Sequence, residues 1–272
     1  MNGAIQPTEY YSFDANRWTK TCSQVIVETP VSLTVNGDVW LSFMCTPIDL
    51  EAMAVGFLFN ERLITTIDEI ASIRLCSTGD NVDLWLNHQI EKPALWKRTS
   101  GCTGGLTSIE ATKPDVLALP QPNPDYTTIS LERIVQLLDK LIGSQELYRK
   151  SGGVHTSVLT DGDTVDIIGE DIGRHNTLDK IAGKILLDRI ELNNRILLTT
   201  GRISSEMIQK ASRIGASIVI SRTSPSSLSL DAAQQMGITL IGYARRNHFR
   251  LYTHPERIRD FQITIKTCSQ AD

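Results

Sequence analysis

ILLTTGRISSEMIQKASRIGASIVISRTSPSSLSLDAAQQMGITLIGYAR, residues 196–245, sets short β-branched runs against longer amphipathic stretches in strict alternation. It reads as strand Ile196–Thr199, helix Ser205–Ile214, strand Ser217–Ile220, helix Leu228–Met236 and strand Ile238–Tyr243. Gly215 and Gly237 fall where helix C-caps belong. Upstream, Leu131–Ile142 has apolar residues at helical spacing. Val154–Leu159 and Val165–Ile168 flank the turn residues Asp161-Gly162-Asp163, and a helix starts near Asn176. Arg250–Thr253 supplies a last strand. Strands alternating with helices imply βαβ crossovers, so the expected architecture is α/β: a largely parallel sheet in a three-layer α/β/α domain.

The first half has a different grammar. Val25–Val35 followed by Asn36-Gly37 and Val39–Phe43 predicts a hairpin. Thr46-Pro47-Ile48-Asp49 predicts a helix with Thr46 as N-cap and Pro47 at its first position. Leu50, Met53, Ala54, Phe57 and Leu58 give that helix a single core stripe. Ile70–Leu75 and Val82–Leu86 are strand-like, and the glycine-rich run Lys97–Gly105 predicts a mobile loop.

Residues 1–120 carry 8 basic and 14 acidic side chains, against 19 and 17 in residues 121–272. Between the halves stands Pro120-Gln121-Pro122-Asn123-Pro124, which denies the backbone a regular element. The boundary is placed there: a smaller N-terminal α+β domain over residues 1–120 and an α/β/α domain over 125–272. With 41% hydrophobic and 21% charged residues, collagen-like, disordered and coiled-coil readings fall away. The longest apolar run, Ala52 to Phe59, is far short of a membrane span, and no secretory signal is visible. A cytoplasmic protein that binds neither membrane nor nucleic acid is expected.

Open parallel sheets bind ligands beyond their strand ends. Four segments land there: Glu170–His175 with Arg174, Thr200-Gly201-Arg202, Arg222-Thr223-Ser224, and Tyr243-Ala244-Arg245-Arg246-Asn247-His248. Each holds an arginine, the residue suited to bidentate phosphate binding. The pattern fits either a pocket for an anionic ligand or a solvated, Arg-rich surface. Neither G-x-G-x-x-G nor a P-loop occurs. His254-Pro255-Glu256 matches the H-x-E of zinc deaminases, yet no P-C-x-x-C follows, so no zinc is expected. His155 and His175 suit either general bases or, the commoner case, satisfied core residues.

The five cysteines, at 22, 45, 76, 102 and 268, form no C-x-x-C and no even disulfide framework. Cys22, Cys45 and Cys76 flank predicted elements, where a buried thiol is the default. Cys102 lies between Gly101 and Gly104, with Lys97 and Arg98 nearby. Nearby cations favour the thiolate, and glycines leave it accessible. Such a site suits a sulfur carrier working through a persulfide, or an idle loop thiol.

Taken together, these segments resemble the FdhD/NarQ family of formate dehydrogenase accessory sulfurtransferases, from about Glu28 to Ile258. The resemblance rests on Glu28-Thr29-Pro30-Val31 with Val35-Asn36-Gly37, and on Asp49-Leu50-Glu51 with Gly56-Phe57-Leu58. Its most specific parts are Glu170-Asp171-Ile172-Gly173-Arg174-His175-Asn176 with Leu178-Asp179-Lys180, Gly201-Arg202, Ser205-Glu206-Met207 and Tyr252-Thr253-His254-Pro255.

The resemblance implies a cytidine-deaminase-like α/β/α domain without the deaminase zinc. It also implies sulfur transfer from a cysteine desulfurase to the molybdenum (or tungsten) bis-molybdopterin guanine dinucleotide cofactor of apo-formate dehydrogenase. Cys102 takes the place of the persulfide-bearing cysteine. Tyr243, Ala244, Arg245, Arg246, Asn247 and His248 take the place of the cofactor loop, with Arg174, His175 and Arg202 as further candidates. Two departures stand out: Gly105 replaces the second cysteine of a common C-x-x-C, and Arg246 replaces a usual glycine. The first leaves a one-thiol carrier and keeps alive a non-enzymatic cofactor chaperone. A homodimer is the base-rate expectation.

Overall fold

The computed structural model describes residues 3–94, 96–98, 106–108, 128–163, 166–191, 194–259 and 261–262, with residues 96–98 and 106–108 described as backbone. Cys102, Cys268 and the Pro120–Pro124 boundary lie outside these residues.

The C-terminal sheet comprises β9 (His155–Thr160), β10 (Asp166–Asp171), β11 (Ile196–Thr199), β12 (Ile218–Ser221), β13 (Thr239–Arg245) and β14 (His248–Leu251), in the order β10-β9-β11-β12-β13-β14. Only β11–β12 and β12–β13 are parallel, so the expectation of a largely parallel sheet is corrected. β9 and β10, and β13 and β14, are separated by only a few residues of chain, and neighbours so close in sequence run antiparallel.

Four helices serve this sheet: α2 (Leu131–Gly143), α4 (Arg174–Leu187), α5 (Ser205–Arg213) and α6 (Ser227–Gln235). Successive strand residues point to opposite faces. Leu159, Leu197, Val219 and Leu240 accordingly pack with Leu178, Ile181, Met207 and Ala233 of α4, α5 and α6. Val158, Leu198, Ile220 and Ile241 pack with Ile134, Leu137, Leu138 and Leu141 of α2 on the other face. Ser130, Ser204 and Ser226 cap α2, α5 and α6 by accepting backbone N–H groups. Gly215 and Gly237 follow α5 and α6 with φ of +77° and +66°, the left-handed geometry of helix ends.

The first half forms a sheet of β3 (Thr29–Val35), β4 (Asp38–Cys45), β5 (Ile70–Leu75) and β6 (Asn81–Leu86), ordered β4-β3-β6-β5. Asn36 and Gly37 turn β3 into β4 with φ of +50° and +89°, as the Asn-Gly pair predicts. Ahead of it, β1 (Ile5–Asp14) and β2 (Arg17–Ile26) pair as a separate hairpin against α3 (Glu146–Ser151). A short hairpin of β7 (Trp96–Arg98) and β8 (Leu106–Ser108) takes in Lys97 and Arg98, which were expected in a loop.

Helix α1 (Leu50–Asn60) departs from its sequence reading twice. It begins at Leu50, after Asp49 in left-handed conformation, and Thr46 is not its cap. Nor does it have one core stripe: nine of its eleven residues are buried, because it lies between the first sheet and α4. Burial on every side erases the amphipathic signature. The α1–α4 contact is backbone on backbone. A Cβ added to Gly56 would sit 1.8 Å from the Asp179 carbonyl oxygen, and one on Gly183 would sit 1.8 Å from that of Ala52. No side chain can yield there, so the helices would have to part. Gly56→Ala is expected to destabilise the chain by about 3 kcal/mol or more, seen as a lower urea midpoint. An unchanged midpoint would show that this close approach contributes nothing.

Candidate functional site

The parallel strands β11, β12 and β13 deliver their carboxyl ends to one edge of the sheet, and antiparallel β9 starts there. Around that edge lies a cavity of about 490 Å³. His155 opens β9, Thr200 follows β11, Arg222 and Thr223 follow β12, and Arg245 ends β13; all line it. Gln145 and Tyr148 close one side.

Hydroxyl groups set the strand ends. Thr156 donates its N–H to the Thr200 hydroxyl at 3.0 Å, and Thr200 donates its own N–H to the Thr156 carbonyl. Beneath them Thr177, Ser157 and Thr199 form a buried hydroxyl chain, and Thr199 receives the Gly201 N–H at 3.1 Å. Arg245 is aimed by a bulge. Between the pairs Gly242↔Arg250 and Arg245↔His248, two residues on β13 oppose one on β14. Such bulges re-aim side chains. Arg245 Nη1 donates to the Arg222 carbonyl at 2.6 Å and to that of Ala244 at 2.8 Å.

The predicted loop is therefore divided. Only Arg245 of its six residues lines the cavity. Tyr243 adopts φ +52° and lies under the Arg250 guanidinium, 4.4 Å from ring centroid. Ala244 is in the core. Arg246 pairs with Asp139 of α2 at 2.8 Å, and Asn247 and His248 are exposed. Of the further candidates, Arg174 and His175 are buried in the first turn of α4, and Arg202 is exposed. Sequence reasoning places Thr200 in a strand-end segment and leaves His155 as a general base or a core residue; it misses Tyr148 and Gln145. The last two stand at the short helix α3, which carries too few residues to show a period.

Residues 26–259 match the FdhD/NarQ family. The chain belongs to that family. Among its curated relatives, the sulfur carrier protein FdhD of Staphylococcus aureus strain MRSA252 is 30% identical over 251 residues, covering 91% of this chain and 94% of the relative. The protein of the same name from strain Newman matches to the same extent. A crystal structure from Desulfotalea psychrophila, assigned as a formate dehydrogenase accessory protein, is 31% identical with a TM-score of 0.76, covering 94% of this chain and 99% of that one.

The FdhD/NarQ-like segment 170–180 does structural work beside the cavity. The Asp171 carboxylate accepts from the N–H groups of Thr46 (3.0 Å) and Gly173 (2.7 Å), from the Asn176 amide (2.8 Å) and from the Lys180 ammonium (2.7 Å). This fixes Ile172, a wall of the cavity. Glu170 accepts from the Thr156 hydroxyl at 3.0 Å and from the Leu147 N–H at 2.9 Å, which seats α3. His254, in the deaminase-like triplet, bonds Glu256 and the Gln234 carbonyl. Among the described residues, no cluster of three or more His, Cys, Asp or Glu side chains could hold a metal ion.

The thiols differ from expectation. Among the described cysteines only Cys45 is buried; Cys22 is exposed and Cys76 half-buried. Burial, reinforced by the Asp171 charge and opposed by Lys180, pushes the Cys45 thiol up to about 12, which makes it inert.

Burial, then the charge of Arg174, holds His155 below its ordinary value; Arg202 adds to this and Asp171 opposes it. His175 is depressed further, by burial and then by Arg174, Lys210 and His155. Its Nε2 lies 3.3 Å from the Ser204 hydroxyl, which already accepts the Met207 N–H. A neutral ring can accept that hydroxyl's proton. Both histidines thus bind protons more weakly folded than unfolded, so stability present above pH 6.5, the ordinary value, is lost as pH falls below it. His175→Gln should flatten the decline of the thermal midpoint between about pH 7 and 5. Parallel profiles for the two proteins would refute this.

Proposed function

We propose that this chain is a sulfur carrier in formate dehydrogenase maturation. It accepts sulfane sulfur from a cysteine desulfurase on Cys102 and passes it to the molybdenum (or tungsten) bis-molybdopterin guanine dinucleotide cofactor, its substrate, before insertion into the apo-dehydrogenase. In the first step the Cys102 thiolate attacks the outer sulfur of the desulfurase persulfide. A new S–S bond forms on Cys102, the old one breaks, and the desulfurase cysteine leaves as thiolate. The names of the relatives support the carrier role. We also infer kinship of the C-terminal domain with the cytidine deaminases, and action in the cytoplasm.

The observation that carries this reading is the cavity itself. It collects Arg222 and Arg245 at parallel strand ends, beside Thr200 and Thr223, in a volume suited to a nucleotide. Guanidinium and hydroxyl donors are what phosphate oxygens require. The Asp171 carboxylate nearby is already engaged by four donors, so it leaves the cationic balance intact.

Incubation with a cysteine desulfurase and cysteine should add one sulfur atom to the intact mass. Cys102→Ser should abolish this adduct and dehydrogenase maturation while preserving guanine nucleotide affinity. If the wild-type chain gains no sulfur, the chaperone reading replaces the carrier. Arg245→Ala is expected to weaken guanosine diphosphate about tenfold or more. Arg246→Ala, which removes a surface ion pair with Asp139, should leave affinity nearly unchanged. Equal losses in the two variants would move the ligand out of this cavity and onto the β13–β14 turn.

A further inference from the structure

We propose that His155 is the proton-linked contact of this cavity: it turns a neutral ring toward the ligand's phosphate and takes up a proton as that phosphate settles between Arg222 and Arg245. The inference rests on the reading of the cavity as a phosphate site and adds a residue and a regulation to it.

His155 is the first residue of β9 and stands in the cavity wall. Among the described residues its ring has no hydrogen-bond partner, unlike the rings of His175 and His254. Charged groups face it from every side. Asp171 lies directly across on β10. Arg174 and His175 approach from α4, and Arg202 from beyond β11. Arg222 and Arg245 share the cavity. Four guanidinium groups thus stand against two carboxylates, Asp171, held by Lys180 and three other donors, and Glu170, held by the Thr156 hydroxyl and the Leu147 N–H. With no anion in the cavity the surroundings favour the neutral ring. A phosphate dianion reverses the local balance and offers an acceptor for a ring N–H.

The sign follows. Binding raises the proton affinity of His155, so between its free and bound values the complex holds more protons than the free protein. Ligand affinity therefore falls as pH rises through that window.

The test is calorimetry of guanosine diphosphate, and in parallel inorganic pyrophosphate, in buffers of different ionisation enthalpy at mildly acidic to neutral pH. His155→Gln is the reference. The phosphates' own titration is common to both proteins, so the difference isolates the histidine. The wild type should take up more protons on binding than the variant. As a second measurement, independent of the variant's folding, NMR titration of labelled histidine in the wild-type chain should show the His155 value rising when ligand saturates. Binding with equal proton uptake in both proteins, or an unmoved His155 titration, overturns the role of His155 and leaves the phosphate site standing. Linked binding of pyrophosphate without guanosine diphosphate supports His155 and removes the guanine part of the reading. Failure of both anions to bind overturns the site and this inference together.

Discussion

Lys180 holds a full positive charge where no solvent reaches. A buried ammonium is tolerable only when its donors are all used and an opposite charge lies alongside. Its three donors go to the Thr46 carbonyl at 3.0 Å, the Glu170 carbonyl at 3.0 Å and the Asp171 carboxylate at 2.7 Å. The first acceptor belongs to the turn after β4, the other two to the end of β10. One ion pair therefore joins the N-terminal sheet to the edge on which the cavity opens. Asn176 repeats the join by donating to the Met44 carbonyl and to Asp171. Farther along α1, the Asp179 carboxylate accepts from the Asn60 amide and the Lys210 ammonium. Beside these polar ties the helices meet at Gly56 and Gly183, where only hydrogen atoms fit. Polar ties fix the register of α1 on α4, and the glycines permit the distance that the ties require.

This arrangement changes what the FdhD/NarQ-like segment is for. Residues dense in charge, such as Glu170, Asp171, Arg174, His175, Asp179 and Lys180, look like a reaction centre in one dimension. In three dimensions they are buried, and the acids and the lysine have partners: Asp171 and Lys180 each other, Glu170 the Thr156 hydroxyl, and Asp179 the Lys210 ammonium. Their contribution to the site is positional. Asp171 fixes Ile172, Glu170 seats the helix that brings Tyr148 to the cavity, and the net effect is a rigid wall. The cations that line the cavity come instead from the ends of β12 and β13, where the backbone is shaped by ladder hydrogen bonds rather than by the motif.

Legibility followed the locality of the cause. The Asn36-Gly37 turn, the serine caps of α2, α5 and α6, and the glycines after α5 and α6 depend on a few consecutive residues, and the sequence shows them. Strand direction in the C-terminal sheet depends on which neighbours are joined by a short connection, so β9 and β14, the two reversed strands, were misjudged as parts of a parallel set. The hairpin β1–β2 was missed because nearly all of β2 is exposed and no apolar alternation marks it. Helix α1 showed a stripe in sequence, yet a second layer, from α4, covers its other side. The convergence of arginine-bearing segments was legible from the strand-end rule. Which arginine enters the cavity was not.

That last choice is made by the bulge in β13. In an unbroken strand, residues 243, 245 and 247 would share one face and 244 and 246 the other. The extra residue between Gly242 and Arg245 sends Tyr243 into left-handed geometry beneath Arg250 and drops Ala244 into the core against α2. Arg245 then emerges at the cavity, braced on the Arg222 carbonyl, and the chain turns at once into β14. Arg246, one residue on, is carried over the rim to an ion pair with Asp139 that is 69% exposed on the arginine side. A pair so open to water contributes little to stability and little to the field inside the cavity. Two adjacent arginines of equal charge thus have unequal roles, and a single inserted backbone residue separates them.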